Sequence, residues 1–259
     1  MSKKKTPIWA WIGCGCLLCV FLFIAVIGGI GVAGFTFVKG VVEDMADPEA
    51  RTAAAMNLLG AEALPDGYFT RGFLNIPFVM QLAILSDGEP LPAVEGENLE
   101  EKAQQLENLV LRSDQLGRNT VIYLKLRDRN PDETIEDILS GDGRSNANVD
   151  LGVEFENGEL ASEGEMDVQG QPVSWRAYEG EMDTMGGAHD GIFAALNVIC
   201  SNGEIHDFLW FQKTELEEEN IPEDGSLPDL DSASSRLSGT PGDPDAIRDL
   251  FGHFQLCAD

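Results

Sequence analysis

A chain of 259 residues with 45 acidic and 17 basic side chains carries a formal charge of −28, while its 43% hydrophobic share is ordinary for a globular protein. A field of that sign repels phosphates and anionic lipid heads, which excludes nucleic-acid binding and favours cations or basic partners. The length allows one or two domains, and a domain of about 150 to 200 residues buries a proper core.

The charge is unevenly spread. Residues 1–39 hold only Lys3, Lys4, Lys5 and Lys39 and no acid, so the remainder has 13 basic against 45 acidic side chains. Residues 6–38 contain no charge. This stretch ends in Gly29-Ile-Gly31-Val-Ala-Gly34, which matches the dinucleotide-binding pattern GxGxxG, with Glu49 twenty residues beyond Gly29. A cofactor fold, however, opens with a strand of about five residues and turns at the glycines into an amphipathic helix. Here the apolar run starts about twenty residues too early for that strand, and Phe35-Thr-Phe-Val38 offers no polar helical face. A bilayer core needs about 20 apolar residues in a helix, which this run supplies with room for tilt. The expectation is a transmembrane helix.

Lys3, Lys4 and Lys5 precede the span, with Trp9 and Trp11 suited to the headgroup layer, and Glu43, Asp44, Asp47 and Glu49 follow it. The positive-inside rule then gives a cytoplasmic tail over 1–7, an uncleaved signal anchor over 8–38, an acidic linker over 39–47 and an extracytoplasmic domain over 48–259. Cleavage after Ala33 is the alternative, although the apolar region exceeds the length of a signal peptide's. Cys14, Cys16 and Cys19 read as small polarizable residues in a span, with S-acylation as the other reading. Ala25, Gly29 and Ala33 fall four apart, a small-residue face that permits close helix approach and a homodimer.

Beyond the span, Asp47-Pro48-Glu49 offers an N-cap, a proline at the first helical position and an acid in the first turn, with Gly60 as the stop, which predicts a helix over 48–59. Leu64-Pro-Asp-Gly-Tyr-Phe69 is a turn into extended segments 68–75 and 77–85. Residues 86–97 read as a loop, 98–108 as a helix, 121–127 as a strand and 134–139 as one or two helical turns. Apolar and polar residues alternate over 149–156 and again over 159–168 around Asn157-Gly158, the strongest short-range hairpin signal. A third strand over 172–179 turns Val173, Trp175 and Ala177 inward. Strand 191–201 is apolar on both faces, hence central, and Asn202-Gly203 turns the chain into 204–212. The fold class is α+β: an antiparallel meander with two Asn-Gly hairpins and one helix-covered face. Residues 213–242 form a mobile acidic loop. Asp243-Pro244 caps a last helix whose Ile247, Leu250, Phe251 and Phe254 pack on the sheet.

Cys200 and Cys257 pair in an oxidising compartment, closing a loop of about 58 residues worth about 4 kcal/mol, unless both are buried free thiols. A turn at Asn157-Gly158 would oppose Glu156 to Glu159 and Asp150 to Glu165, with Glu154 and Glu163 diagonal neighbours. Like charges opposed in a sheet destabilise it. That ladder is either a hydrated face, a surface recruiting Ca²⁺ or a basic partner, or adaptation to high salt. Asp142-Gly-Arg-Ser-Asn146-Ala-Asn148-Val-Asp150 resembles part of a calcium loop but has Arg144 at the third position and lacks the EF-hand glycine. His189, His206 and His253 share no metal spacing, and no nucleophile-elbow, zincin or Walker pattern occurs, so no catalytic, cofactor or metal residue is assigned. The anchor, the Leu64–Tyr68 turn, the meander and the closing Asp245-Ala-Ile-Arg-Asp-Leu-Phe251 helix together resemble uncharacterised bacterial single-pass envelope proteins and the PsbP-type α+β fold. The resemblance covers about 60–259 and implies binding or assembly roles, without carrying over any residue; the acidic stretch 213–242 departs from it. The expectation is an envelope binding or assembly module, with a membrane-tethered hydrolase or an acidic Ca²⁺-binding protein as alternatives.

Overall fold

The computed structural model describes residues 32–96, 98–110, 117–127, 154–184, 187–214 and 240–257. In chain order these form α1 (Val32–Ala46), α2 (Pro48–Leu59), β1 (Phe69–Ile76), β2 (Met80–Ser86), α3 (Leu99–Val110), β3 (Asn119–Leu126), β4 (Glu154–Val168), β5 (Gln171–Thr184), β6 (Gly187–Ile199), β7 (Ile205–Lys213) and α4 (Pro244–Phe251). The seven strands make one antiparallel sheet in the order β1-β2-β3-β7-β6-β5-β4. The α+β class is as expected. The middle strand is β7, whose residues from His206 to Lys213 are all buried, and β6 is interior beside it.

Helices cover both faces rather than one. Against one face pack Ala55 and Leu59 of α2 and Ala246, Ile247, Leu250 and Phe251 of α4, meeting Val121, Tyr123, Phe208, Trp210 and the inward Val173, Trp175 and Ala177. Against the other pack Val41, Val42, Met45 and Ala46 of α1 and Leu106 of α3, meeting Leu82, Ile122, Leu124, Leu209 and Phe211. The second cover was missed because residues 39–47 looked like a connector. Their apolar side chains sit at helical spacing, and α1 buries them with its Lys39–Glu43 pair turned outward at 3.6 Å.

Capping followed the sequence closely. The Asp47 carboxylate accepts from Glu49 N and Ala50 N at 2.8 and 3.1 Å, and Gly60 ends α2 in the left-handed region at φ 60°. Asn98 caps α3, accepting from Glu101 N at 2.9 Å, and Asp243 caps α4, accepting from Asp245 N at 2.9 Å. Phe251 and Phe254 close on Phe208, with ring centres 4.8 and 5.8 Å away; Phe254 lies past the end of α4.

Asn157-Gly158 is not a hairpin turn. Strand β4 runs straight through it, paired along its length with β5, and the register shifts twice between Asn157 and Ser162, the mark of β-bulges. The turn lies at Gln169-Gly170, both at positive φ (56° and 80°), the backbone of a type I′ hairpin. Two effects favour this outcome. Strand β5 offers β4 a partner over its whole length, and Glu163 comes to face Arg176, at 3.6 Å, instead of lying diagonal to Glu154. In the backbone register Glu154 pairs with Asp183 and Glu156 with Glu181. The second Asn-Gly stands: Asn202-Gly203 lies in the β6–β7 turn, with Gly203 at φ 84°.

No helix among the described residues is long and apolar enough to cross a membrane. Residues 1–31, and with them residues 8–31 of the expected span 8–38, lie outside the described residues, as do 134–139, 149–153 and 215–239.

Candidate functional site

One end of the sheet is open. There the β1–β2 turn, the end of β3 and the β6–β7 turn surround a cavity of about 460 Å³, within the range that small-molecule sites occupy. The β1–β2 turn is three residues, Pro77-Phe78-Val79, between the paired Ile76 and Met80, closed by Val79 N donating to Ile76 O at 3.0 Å. Proline in second place followed by positive φ is the type II pattern, whose third position favours glycine. Phe78 holds that position at φ 65° with 80% of its surface exposed. A bulky residue held so costs of order 1 kcal/mol, and such strain gathers at ligand sites.

Arg127 supports the turn from β3. Its N–H donates to Val79 O at 3.1 Å, and its guanidinium carbon stands 5.4 Å from the centre of the Phe78 ring, a cation–π contact. Asn75, Gln81 and Lys125 are cross-strand neighbours in register, so they form a polar row on one face of β1, β2 and β3. Lys125 Nζ reaches Glu204 Oε2 at 2.9 Å. That bond outweighs the opposing effect of burial and holds the Glu204 carboxyl below the usual range.

Behind this wall lies a chain of titratable groups. His206 Nδ1 and the Tyr123 hydroxyl share a hydrogen bond of 3.1 Å, and His206 Nε2 is 4.0 Å from Glu204 Oε2, too far for another. Burial pushes His206 down to about 4, helped by Lys125 and opposed by Glu204, so the ring is neutral at pH 7. Burial also pushes the Tyr123 phenol up, with Glu204 and Asp207 adding to it. Carboxylate, imidazole and hydroxyl stand in the order of a proton relay. Yet Tyr123 and His206 are 1% and 2% exposed and neither lines the cavity, so they brace the wall from within.

Cys200 and Cys257 form a disulfide, with Cα atoms 5.4 Å apart, which ties the start of the β6–β7 turn to the segment after α4. One wall of the cavity, Asn202 to Ile205, is therefore cross-linked to the C-terminal segment.

The residues singled out from sequence do not converge. His189 lies in β6, His206 at the start of β7 and His253 just past α4. Among the described residues no group of three His, Cys, Asp or Glu side chains could hold a metal ion. The calcium-like stretch 142–150, Cys14, Cys16, Cys19, Ala25 and Gly29 lie outside the described residues, and Ala33 falls in α1. The residues the cavity uses, Phe78, Lys125, Arg127 and Glu204, were missed. Pro77-Phe78-Val79 read as the start of the extended segment 77–85, with the break placed at residue 76, whereas the pairing register puts the turn at 77–79 with Phe78 at positive φ. No family model and no curated protein matches the chain.

Proposed function

We propose that the protein is a membrane-anchored, extracytoplasmic binding module, held by a signal anchor at 8–38 and presenting the open end of its sheet to a ligand. The observation that carries this reading is the cavity of about 460 Å³ at that end, walled by three paired strands and two turns, with an exposed, strained aromatic at its rim. Sites on rigid strands hold their geometry better than sites on loose loops. The location is supported by the charge-free residues 6–38 behind Lys3, Lys4 and Lys5, and by the Cys200–Cys257 disulfide, a bond that persists in oxidising compartments. An anchor that ends in α1 leaves no loose linker before the domain, because Val41, Val42, Met45 and Ala46 of that helix are in the core.

The test is protease digestion of a C-terminal tag on intact cells, with the chain's mass read in the membrane fraction. The expected result is a digested tag on a full-length, membrane-bound chain. A tag protected until the membrane is opened would invert the topology. A mature chain beginning near Gly34 would make the protein secreted.

A further inference from the structure

The cavity reverses the sign of the molecule around it. Among the described residues its lining carries Lys125 and Arg127 against one carboxylate, Glu204, in a chain whose acids outnumber its bases 45 to 17. Both cations are positioned: Lys125 by Glu204 at 2.9 Å, and Arg127 by the Phe78 ring and the bond to Val79 O. A guanidinium lying over a ring keeps its N–H donors around its rim, where they suit a planar or tetrahedral anion. Beside the cations the lining mixes the polar Asn75, Gln81 and Asn202 with the apolar Ile76, Val79 and Leu126, and Phe78 turns 80% of its surface to solvent.

Resting on the binding-module reading above, we infer that the cavity takes a small anionic amphiphile, its carboxylate or phosphate on Lys125 and Arg127 and its apolar body against Phe78 and Val79. Charge selects the head: the remainder of the surface repels anions, so a resident anion must be held by local contacts, and these two cations supply them. Glu204 then plays a defined part. It pairs with the Lys125 ammonium, and the ligand's anion competes with it for that group.

The experiment uses the full chain in phosphatidylcholine nanodiscs, titrated calorimetrically with octanoate and octyl phosphate and blanked against empty discs. Octan-1-ol and octylammonium serve as neutral and cationic controls. The anions are expected to bind saturably, one per chain, and the controls not. Arg127→Gln should weaken anion binding about tenfold, the loss of one charge-assisted contact. Glu204→Gln should tighten it several-fold by releasing Lys125. Arg127 and Glu204 are exposed side chains, and an unchanged melting temperature establishes that each variant is folded. Loss of the isotherm in discs containing phosphatidylglycerol identifies a bilayer lipid as the natural anion, and its retention identifies a soluble one; either supports the class. Equal binding of all four probes, or no response to the two substitutions, overturns the anionic preference and leaves a binding module standing. No saturable binding of any probe overturns the inference, while failure of the anchored reading shows separately in the tag assay.

Discussion

Where β2 finishes and β3 begins, buried polar groups satisfy one another. Asn119 donates from its backbone and side chain to the two Asp87 oxygens at 2.7 and 2.8 Å, and its own amide oxygen accepts from Trp210 Nε1 and Gln212 Nε2 at 3.2 and 3.1 Å. Ser86 Oγ accepts from Gly88 N and Gly117 N. At the opposite end of the same strands the turns splay around a cavity, an aromatic stands in solvent at positive φ, and the wall is held by a disulfide and an ion pair. The difference teaches which end is spare. Networks at the first end are bound up in stability, whereas the second carries strain that folding alone does not require.

The largest effect expected from breaking that contrast comes from the clamp on the open end. Cys257→Ser removes the cross-link between residues 57 apart in sequence, and by chain-entropy reasoning costs about 4 kcal/mol. Urea unfolding of the oxidised and variant proteins measures it. A loss that small-molecule reductant reproduces in the wild type, but not in the variant, assigns the effect to the bond.

Next comes the sealed end. Asn119→Ala strips the acceptor from the buried Trp210 Nε1 and the amide from Asp87, in a residue 2% exposed. Stranded buried polar groups cost about 1 to 3 kcal/mol each, so a loss of about 3 kcal/mol in urea unfolding is expected. A loss below about 1 kcal/mol would mean the two ends do not differ as described.

Acid probes the wall of the open end from behind. His206 has a folded pKa of about 4 against an ordinary 6.5, so the unfolded chain binds the proton more readily. Its contribution, up to about 3 kcal/mol, is complete above pH 6.5 and is lost as pH falls toward 4. Glu204, whose carboxyl lies below the usual range, loses its contribution only at lower pH. Relief of repulsion among the many carboxylates runs the other way, so the variant is the control. Tm should therefore fall less, or rise more, between pH 6.5 and 4 in His206→Gln than in the wild type.

Local signals carried much of this fold. Asp47, Pro48 and Gly60 bound α2 because capping is decided within a few residues, and Asp243 and Pro244 do the same for α4. The apolar stripe of Ile247, Leu250 and Phe251 reached the sheet as read. What failed was decided at a distance. Asn157-Gly158 turns a hairpin only if the chain finds its partner immediately, and β5 supplied a longer one further on. The turn went to Gln169-Gly170, whose glutamine is a weak turn signal. The cavity was invisible for the same reason, because Asn75, Gln81, Lys125 and Glu204 meet only through the register of four strands.

The smallest expected stability effect is also the sharpest test of what the open end is for. Phe78→Gly places the residue that favours positive φ where φ is 65°, which relieves strain of order 1 kcal/mol. Against that stands the cation–π contact with Arg127, 5.4 Å from the ring centre and worth about 0.5 to 1 kcal/mol at an exposed site. With 80% of the ring already exposed, little burial is lost. The two terms nearly cancel, so urea unfolding should move by less than about 1 kcal/mol in either direction. Octanoate binding should fall clearly in the same variant, because the ligand loses its apolar wall and Arg127 loses the ring that positions it. A residue that costs the fold nothing to remove, and the ligand a good deal, is there for binding. If instead Phe78→Gly unfolds as readily as Asn119→Ala while binding is untouched, the phenylalanine is a structural part of the turn, and the two ends of the sheet are alike after all.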